Sequence, residues 1–388
     1  MIKVAIFDGD GTLGLPNPSD EIRTMLAQLK RLNIQTAVAS NGSEVAIRRS
    51  ITNAGLDMPA YFATKGSVGL SKPSPEFVHT IQGMAGVQLN EIVYVGDDDK
   101  TDALCAINAH VLPLTAQYST AMKPREYGLP IAEPKALADY LRTYGQQNSP
   151  YFGWTFSKRC LDTKTTIDIR ALIGQHAALT DKLKTVLKEQ KDVKIGKTTF
   201  QAILFHYLVS QCYLGGLIQN IDLIIAYPGH LAGTTNDILS KYSGTLARTF
   251  KDRPMTDLLV RHTDAPESKR QGTQRSIIDQ FNTLLVNPLY KDKIVDKRVL
   301  VLDDFTTAGY SLETARRMLL QAGAASVTGL AVAKYRAVHA VTRIKRAWNP
   351  FVPNTFSAKD IAVTDESGTF NPKADNHFYK VILPAYHG

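Results

Sequence analysis

Through the first 140 or so positions, short apolar, β-branched runs alternate with longer amphipathic stretches. Residues 2–7 form one such run and stop abruptly at Asp8-Gly9-Asp10-Gly11-Thr12-Leu13. A run of this kind predicts a buried parallel strand that brings two carboxylates to its C-terminal end, the edge where open α/β sheets hold their ligands. A helix over 19–32 with Ser19 as its cap comes next, then a strand over 34–39 ending in Ser40-Asn41-Gly42. A helix over 43–54, Lys72 before Pro73, a helix near 74–85 and a strand over 91–95 follow. That last strand runs into Gly96-Asp97-Asp98-Asp99-Lys100-Thr101-Asp102. The βα alternation predicts a doubly wound sheet.

The second half opens with a polar, Pro- and Gly-punctuated linker over 145–160. Helices are predicted over 165–190 and 198–217, then a strand over 221–227 that ends in Tyr227-Pro228-Gly229-His230. Residues 231–250 read as helical, 261–275 as a basic stretch, and a further helix enters the 280s. An apolar strand over 299–302 then delivers Asp303-Asp304-Phe305-Thr306-Thr307-Ala308-Gly309-Tyr310-Ser311 to the start of an amphipathic helix over 312–322, followed by a strand over 326–333. In the tail, Arg343-Ile344-Lys345-Arg346-Ala347-Trp348 interleaves an aromatic with bases and reads as an exposed helix with one buried ring; stacking on a nucleic-acid base is the alternative. The pattern as a whole predicts an α/β protein of two doubly wound parallel-sheet domains, 1–144 and 161–388. The second carries an N-terminal helical insert and a C-terminal extension.

Composition narrows the partners. The 388 residues are 44% hydrophobic and 21% charged, which suits folded domains with sizeable cores rather than a disordered chain. No run approaches a membrane span and the start does not read as a signal peptide, so a cytoplasmic protein is expected. Cys105, Cys160 and Cys212 are far apart and form no paired motif, which argues against a disulfide framework or a zinc knuckle. Residues 1–144 hold 13 basic and 15 acidic side chains, whereas 145–388 hold 32 and 21. The positive excess therefore lies in the second part and favours polyanionic partners: a pyrophosphorylated sugar, a nucleotide or a nucleic acid.

The carboxylates of the first half fit phosphoryl chemistry. Asp8 can attack phosphorus to form an aspartyl-phosphate, and Asp10, two residues on, can protonate the leaving oxygen and then activate water. Ser40, Asn41 and Lys72 would hold the phosphoryl group, the ammonium offsetting repulsion between phosphate and carboxylates. Asp8, Asp10 and Asp97, with Asp98 or Asp102 beside them, supply hard oxygens suited to Mg²⁺. Asp98 is the member assigned to the metal; Asp99 and Lys100 read as surface residues. The ordered set DGDGTL, SNG, a lone Lys and VGDDDKTD resembles the haloacid dehalogenase (HAD) superfamily over about the first 140 residues, with 133–141 resembling its closing helix. The short intervals between these motifs leave no room for a folded cap, which implies an open, capless site.

In the second half, a strand, two carboxylates, a loop of small and hydroxyl residues and a helix N-terminus make a phosphate site beside a sugar-diol site. The segment resembles the phosphoribosyl-pyrophosphate (PRPP) signature of type I phosphoribosyltransferases of the ComF-like, amidophosphoribosyltransferase-related branch, over roughly 220–335. The resemblance implies that Asp303 and Asp304 face ribose hydroxyls and that Thr307, Ala308, Gly309, Tyr310 and Ser311 hold the 5′-phosphate, with Thr306 beside them in the substrate site. It places Tyr227 in a pyrophosphate loop, and Arg261 and Arg275 in a catalytic loop. Ala308 stands where a second Thr is common. The expectation is a bifunctional protein: a Mg²⁺-dependent phosphatase acting on a phosphorylated substrate, joined to a phosphoribosyltransferase that binds PRPP or a ribose-5-phosphate compound. The alternative is a non-catalytic PRPP or nucleotide sensor, or a regulatory or defence effector that engages nucleic acid. A homo-oligomer stays open.

Overall fold

The computed structural model describes residues 1–9, 11–119, 127–147, 150–160, 162–174, 183, 186, 193–196, 198–233, 249–250, 257–266 and 276–386. The chain divides into two compact units, the first built on the opening 148 residues together with Val209–Gln219 and Arg248–Lys251.

The apolar run at the N-terminus forms β1 (Val4–Asp8), every residue of which is buried. Helix α1 (Asp20–Arg31) starts where Ser19 Oγ accepts from the amide of Ile22 at 3.3 Å. Such a cap stabilises a helix by about 1 kcal/mol. Acidic Asp20 and Glu21 sit in its first turn and basic Lys30 and Arg31 in its last, in line with the helix dipole. Its buried stripe is Ile22, Met25 and Leu29, at helical spacing. β2 (Gln35–Ser40), α2 (Glu44–Asn53), β3 (Tyr61–Thr64), α3 (Glu76–Ala85), β4 (Ile92–Gly96), β5 (Leu112–Ala116), β6 (Leu129–Ile131) and α4 (Pro134–Tyr140) follow. The six strands form one sheet in the order β3-β2-β1-β4-β5-β6, parallel throughout. Winding proceeds outward from β1 to β3 and then restarts at β4 on the other side. The switch point therefore falls between the C-terminal ends of β1 and β4, where Asp8 and Asp97 stand. One face of the sheet packs Ile6, Ala37 and Tyr94 against Phe77, Val78 and Ile81 of α3.

In the second unit, two elements differ from the sequence reading. Trp154–Arg159, expected to be linker, is a strand (β7), and Thr166–Ile173, expected to open a helix, is another (β8). The physical reason is period: buried Ile167, Ile169 and Ala171 alternate with more exposed Thr166, Asp168 and Arg170. α5 (Phe200–Leu214), β9 (Leu223–Ala226), β10 (Leu259–Arg261), α6 (Ile277–Thr283), β11 (Leu284–Val286), β12 (Arg298–Thr306), α7 (Tyr310–Gln321), β13 (Ser326–Lys334), β14 (Val338–Ile344), β15 (Ile361–Ser367) and β16 (Thr369–Phe370) complete the described elements used below. The main sheet runs β9-β12-β13-β8-β7-β16. β9, β12, β13 and β8 are parallel, whereas β7 and β16 are antiparallel additions, so this sheet is mixed rather than wholly parallel. The basic tail segment is not a helix: Arg343 lies on β14, which pairs antiparallel with β15. The helix expected over 231–250 lies almost wholly outside the described residues. Among the described residues no helix is long and apolar enough to cross a membrane.

A fully buried charge cluster braces α7. Glu313 accepts from Arg316 at 2.7 and 2.9 Å, and from the Thr342 amide and hydroxyl at 2.8 and 2.7 Å. Burial disfavours its charge, but these donors outweigh burial and hold the carboxyl below its ordinary value.

Candidate active site and anion loop

Asp8 ends β1, and Gly9 follows it closely enough to Ser40 that a Cβ there would lie 3.0 Å from the serine's own. Lys72 Nζ donates to Asp8 Oδ1 at 2.6 Å, Asp102 Oδ1 at 2.5 Å and the Ala39 carbonyl at 3.3 Å, which uses all three ammonium protons. Its backbone amide donates to Asn41 Oδ1 at 2.8 Å, so Asn41 positions the lysine. Ser40 Oγ, fully buried, accepts from the Gly42 amide at 2.9 Å. Asp97 follows β4 and accepts from the Ser119 hydroxyl. Gly11 passes so near Asp97 that a Cβ at that position would collide with its carboxylate.

Asp102 completes the cluster one helical turn past Asp98. Its Oδ2 accepts from the amides of Asp97 and Asp98, each at 3.2 Å. Burial together with the neighbouring Asp8 charge pushes the Asp102 carboxyl up to about 6, against the opposing pull of Lys72. Lys72 is shifted above its ordinary value; burial works against its charge, and the two carboxylates overcome burial.

The structure thus brings together Asp8, Ser40, Asn41, Lys72 and Asp97, and adds Asp102. Asp98, assigned to the metal, is outside the cluster of Asp8, Asp97 and Asp102; its Oδ1 accepts from the amides of Lys100 and Thr101 at 2.8 and 3.2 Å, which caps the following turn. Asp99, expected on the surface, is buried and accepts from the Tyr127 amide at 3.2 Å. Asp10 lies outside the described residues. One helix separates β1 from β2, and α2 with the short β3 separates β2 from Lys72, so no folded cap enters in these intervals; the side chains of Asp8, Lys72, Asp97 and Asp102 are nevertheless only 1–7% exposed.

Carboxylate oxygens of Asp8, Asp97 and Asp102 all lie within 4.8 Å of one another. Opposite ligands of an octahedral Mg²⁺ stand about 4.2 Å apart at metal–oxygen distances near 2.1 Å, so these three hard, anionic donors suit that ion by chemistry and need to draw in by roughly half an ångström at most to hold it.

Residues 13–110 match the family model of haloacid dehalogenase-like hydrolases. The N-terminal part of the chain is a HAD-like hydrolase domain. No curated protein matches the sequence. Among solved structures, an uncharacterised protein from Listeria monocytogenes serotype 4b is similar at 18% identity, covering 36% of this chain and 97% of its own, with a TM-score of 0.32. A HAD phosphatase from Thermococcus onnurineus is similar at 19% identity over 32% of this chain and 58% of its own, TM-score 0.30. A 4-nitrophenylphosphatase from Thermotoga maritima is similar at 15% identity over 35% of this chain and 96% of its own, TM-score 0.31.

The second unit's loop is built by β12 running into α7. Asp303 is buried, Asp304 half-buried, and Thr306 is the last residue of the strand. Gly309, at φ 83°, is the N-cap of α7 and packs so tightly on the His339 ring that any side chain would strike it. Backbone carbonyls of the loop point inward: Thr306 accepts from the Tyr335 amide at 3.1 Å, Ala308 from the Ala340 amide at 2.7 Å and Thr307 from Lys334 Nζ at 2.9 Å. The amides of Thr307, Ala308, Gly309, Tyr310 and Ser311 have no acceptor among the described residues. A run of unpaired amides at a helix start attracts an anion.

Two residues assigned to substrate are instead part of the core. Arg261 is 1% exposed; its guanidinium donates to the Gly229 carbonyl at 2.5 Å, to Gln280 Oε1 at 3.0 Å and to Thr283 Oγ1. The Tyr227 hydroxyl donates to the same Gln280 oxygen at 2.6 Å. Both side chains satisfy buried acceptors, and burial of a guanidinium demands such partners. Arg275 lies outside the described residues. Lys334 is the residue near this loop that motif reading missed, because a lone Lys at a strand end carries no pattern.

Proposed function

We propose that the first unit is a Mg²⁺-dependent phosphohydrolase working through an aspartyl-phosphate. The observation that carries the reading is the convergence of Asp8, Lys72, Asp97 and Asp102 at the switch point of the parallel sheet. Asp8 attacks the phosphorus of a phosphorylated substrate: the new bond joins its carboxylate oxygen to phosphorus, and the bond to the leaving alkoxide breaks. Asp10, assigned from its place in the motif, gives that alkoxide a proton and later takes one from the water that hydrolyses the acyl phosphate. Lys72 keeps a cation beside the attacked group and aligns Asp8 through their 2.6 Å contact. Asp8, Asp97 and Asp102 would hold Mg²⁺, which supplies charge neutralisation for a dianionic phosphoryl group. The test is Mg²⁺-dependent hydrolysis of 4-nitrophenyl phosphate by the wild type and by Asp8→Asn. The variant is expected to lose roughly a thousandfold in rate, equivalent to about 4 kcal/mol of barrier. Equal rates would end the proposal.

For the second unit we propose binding of PRPP or another ribose 5-phosphate compound. The unpaired amides of 307–311 would take the 5′-phosphate, and Asp303 and Asp304 would accept from the sugar hydroxyls. Transfer of the phosphoribosyl group is the fuller form of this reading. Commitment of Arg261 and Tyr227 to the core favours a second form, binding without transfer, because neither offers a donor to a pyrophosphate. Calorimetry with PRPP on wild type and Asp304→Asn, followed by assay of pyrophosphate release, separates the two forms. Absence of binding removes both.

A further inference from the structure

At the far end of α7 from the loop, the second unit holds a cavity of about 480 Å³. Leu320 and Gln321 line it, and at 1.5 Å per helical residue they stand roughly 15 Å from Tyr310 at the start of the helix. It is therefore separate from the anion loop. Its size falls in the range of small-molecule sites, about 300–1,000 Å³.

The lining is unusual in charge. Arg317, Arg343 and Arg346 all border the cavity, whereas Asp162 is its one carboxylate. Asp162 is already matched: its Oδ2 lies 2.9 Å from Arg317 Nη1, and Arg317 is held further by Thr342 at 3.2 Å. Arg343 is exposed on β14 and has no partner among the described residues. Arg346 is fixed in direction and only loosely paired. It donates to the Thr355 carbonyl at 2.8 Å, lies 4.6 Å over the Phe356 ring, and approaches Asp360 no closer than 4.0 Å. The cavity therefore carries two positive charges beyond its own carboxylate, on guanidiniums whose planar forks suit phosphate.

Trp348 supplies the apolar wall. Its ring is half-buried and meets Phe281 and Phe356 edge-on, at 86° and 76°, so the core immobilises it. A fixed indole beside Arg343 and the long-paired Arg346 combines a stacking platform with a phosphate clamp.

We infer that this cavity binds a nucleotide, with its base against Trp348 and its phosphate held by Arg343 and Arg346. The nucleotide comes either free or as one unit of a single strand; the recognising chemistry is shared.

The chain has two tryptophans, and Trp154 lies under Lys334 beside the anion loop, so the part of the quenching that disappears in Trp348→Phe is the part that reports Trp348. The full-length protein is titrated with AMP, with UMP, with a 12-nucleotide single-stranded RNA and with inorganic phosphate. The expected result is saturable quenching by nucleotide, lost in Trp348→Phe, and at least tenfold weaker binding by calorimetry in Arg343→Gln/Arg346→Gln. Asp303→Asn, in the other site, should leave the quenching unchanged. Quenching by both mononucleotide and RNA identifies a free nucleotide as sufficient; quenching by RNA alone identifies the strand as the source. No quenching, affinity unchanged in the double arginine variant, or inorganic phosphate binding as tightly as nucleotide would overturn the inference. Circular dichroism of each variant separates loss of binding from loss of fold, and Arg343→Lys/Arg346→Lys, which keeps both charges, should retain part of the affinity.

Discussion

Lys334 is the strongest test of how this fold treats an uncompensated charge. Its side chain is buried, donates to the carbonyls of Thr307 and Val338 at 2.9 and 2.8 Å, and lies 4.3 Å over the Trp154 ring. No carboxylate pairs with it among the described residues, and burial pushes the amine down to about 7. Set against an ordinary lysine near 10.5 and 1.36 kcal/mol per pH unit, that depression amounts to roughly 5 kcal/mol. Between about pH 7 and 10.5 the unfolded chain holds this proton and the folded chain does not. Stability contributed by this residue therefore rises with pH across that window; below it the folded state bears the whole cost of the charge. Lys334→Met keeps an apolar stem and abolishes the titration. Urea unfolding of both proteins in a Trp348→Phe background, followed through Trp154 emission, isolates the second unit. The stability of the lysine form relative to the methionine form should rise by about 2 to 3 kcal/mol between pH 7.5 and 9.5. A gap that stays constant over that interval would refute the reasoning.

Three other outcomes are expected. Lys72→Met removes the ammonium that the buried carboxylates of Asp8 and Asp102 share and should cost roughly 3–5 kcal/mol by thermal or chemical denaturation, with a second substitution, Asp102→Asn, recovering part of the loss. Arg261→Met takes the guanidinium donors from the Gly229 carbonyl and from Thr283 Oγ1, leaves Gln280 Oε1 with Tyr227 alone, and should destabilise the second unit by about 2–4 kcal/mol in the same urea experiment. Asp222, held down to about 2 chiefly by its hydrogen bond to Arg298, contributes stability above about pH 4 that is lost as pH falls toward 2; because the pair is partly exposed, Asp222→Asn should cost only about 0.5–1 kcal/mol at neutral pH and nothing at pH 2.

The three central strands of the first sheet, β1, β2 and β4, were readable because each is a short apolar run that ends in chemically marked residues, as Val4–Asp8 and Ile92–Gly96 do; β5 and β6 carry no such mark and were not expected. β3 escaped notice: Tyr61–Thr64 is only four residues and carries no such mark. Asp8, Lys72 and Asp97 were legible for the same reason as the strands. Choosing Asp102 over Asp98 needed the fold of one turn, in which the first carboxylate of an i, i+4 pair caps the turn and the second folds back onto the strand end. In the second unit, Thr166–Ile173 alternates strictly enough to be found in retrospect, but the strand-breaking neighbourhood of Trp154–Arg159 hid β7. Arg261 and Tyr227 were misassigned because their partners, Gln280 and Thr283, lie some 20 to 50 positions away, and no local pattern announces a guanidinium that will be enclosed.

The composition of the first unit constrains its biosynthesis. Val209–Gln219 belongs to it, with Ser210 Oγ 2.5 Å from the Tyr140 hydroxyl and Asn90 donating to the Leu214 carbonyl at 3.1 Å. On the ribosome, the first 148 residues emerge about 70 positions before that piece is made, a delay of roughly 4 to 14 seconds at 5–20 residues per second. Until then Tyr140 and Asn90 lack these bonds: every strand of the sheet has been made by Ile131, but these two partners wait on a segment that translation has yet to reach.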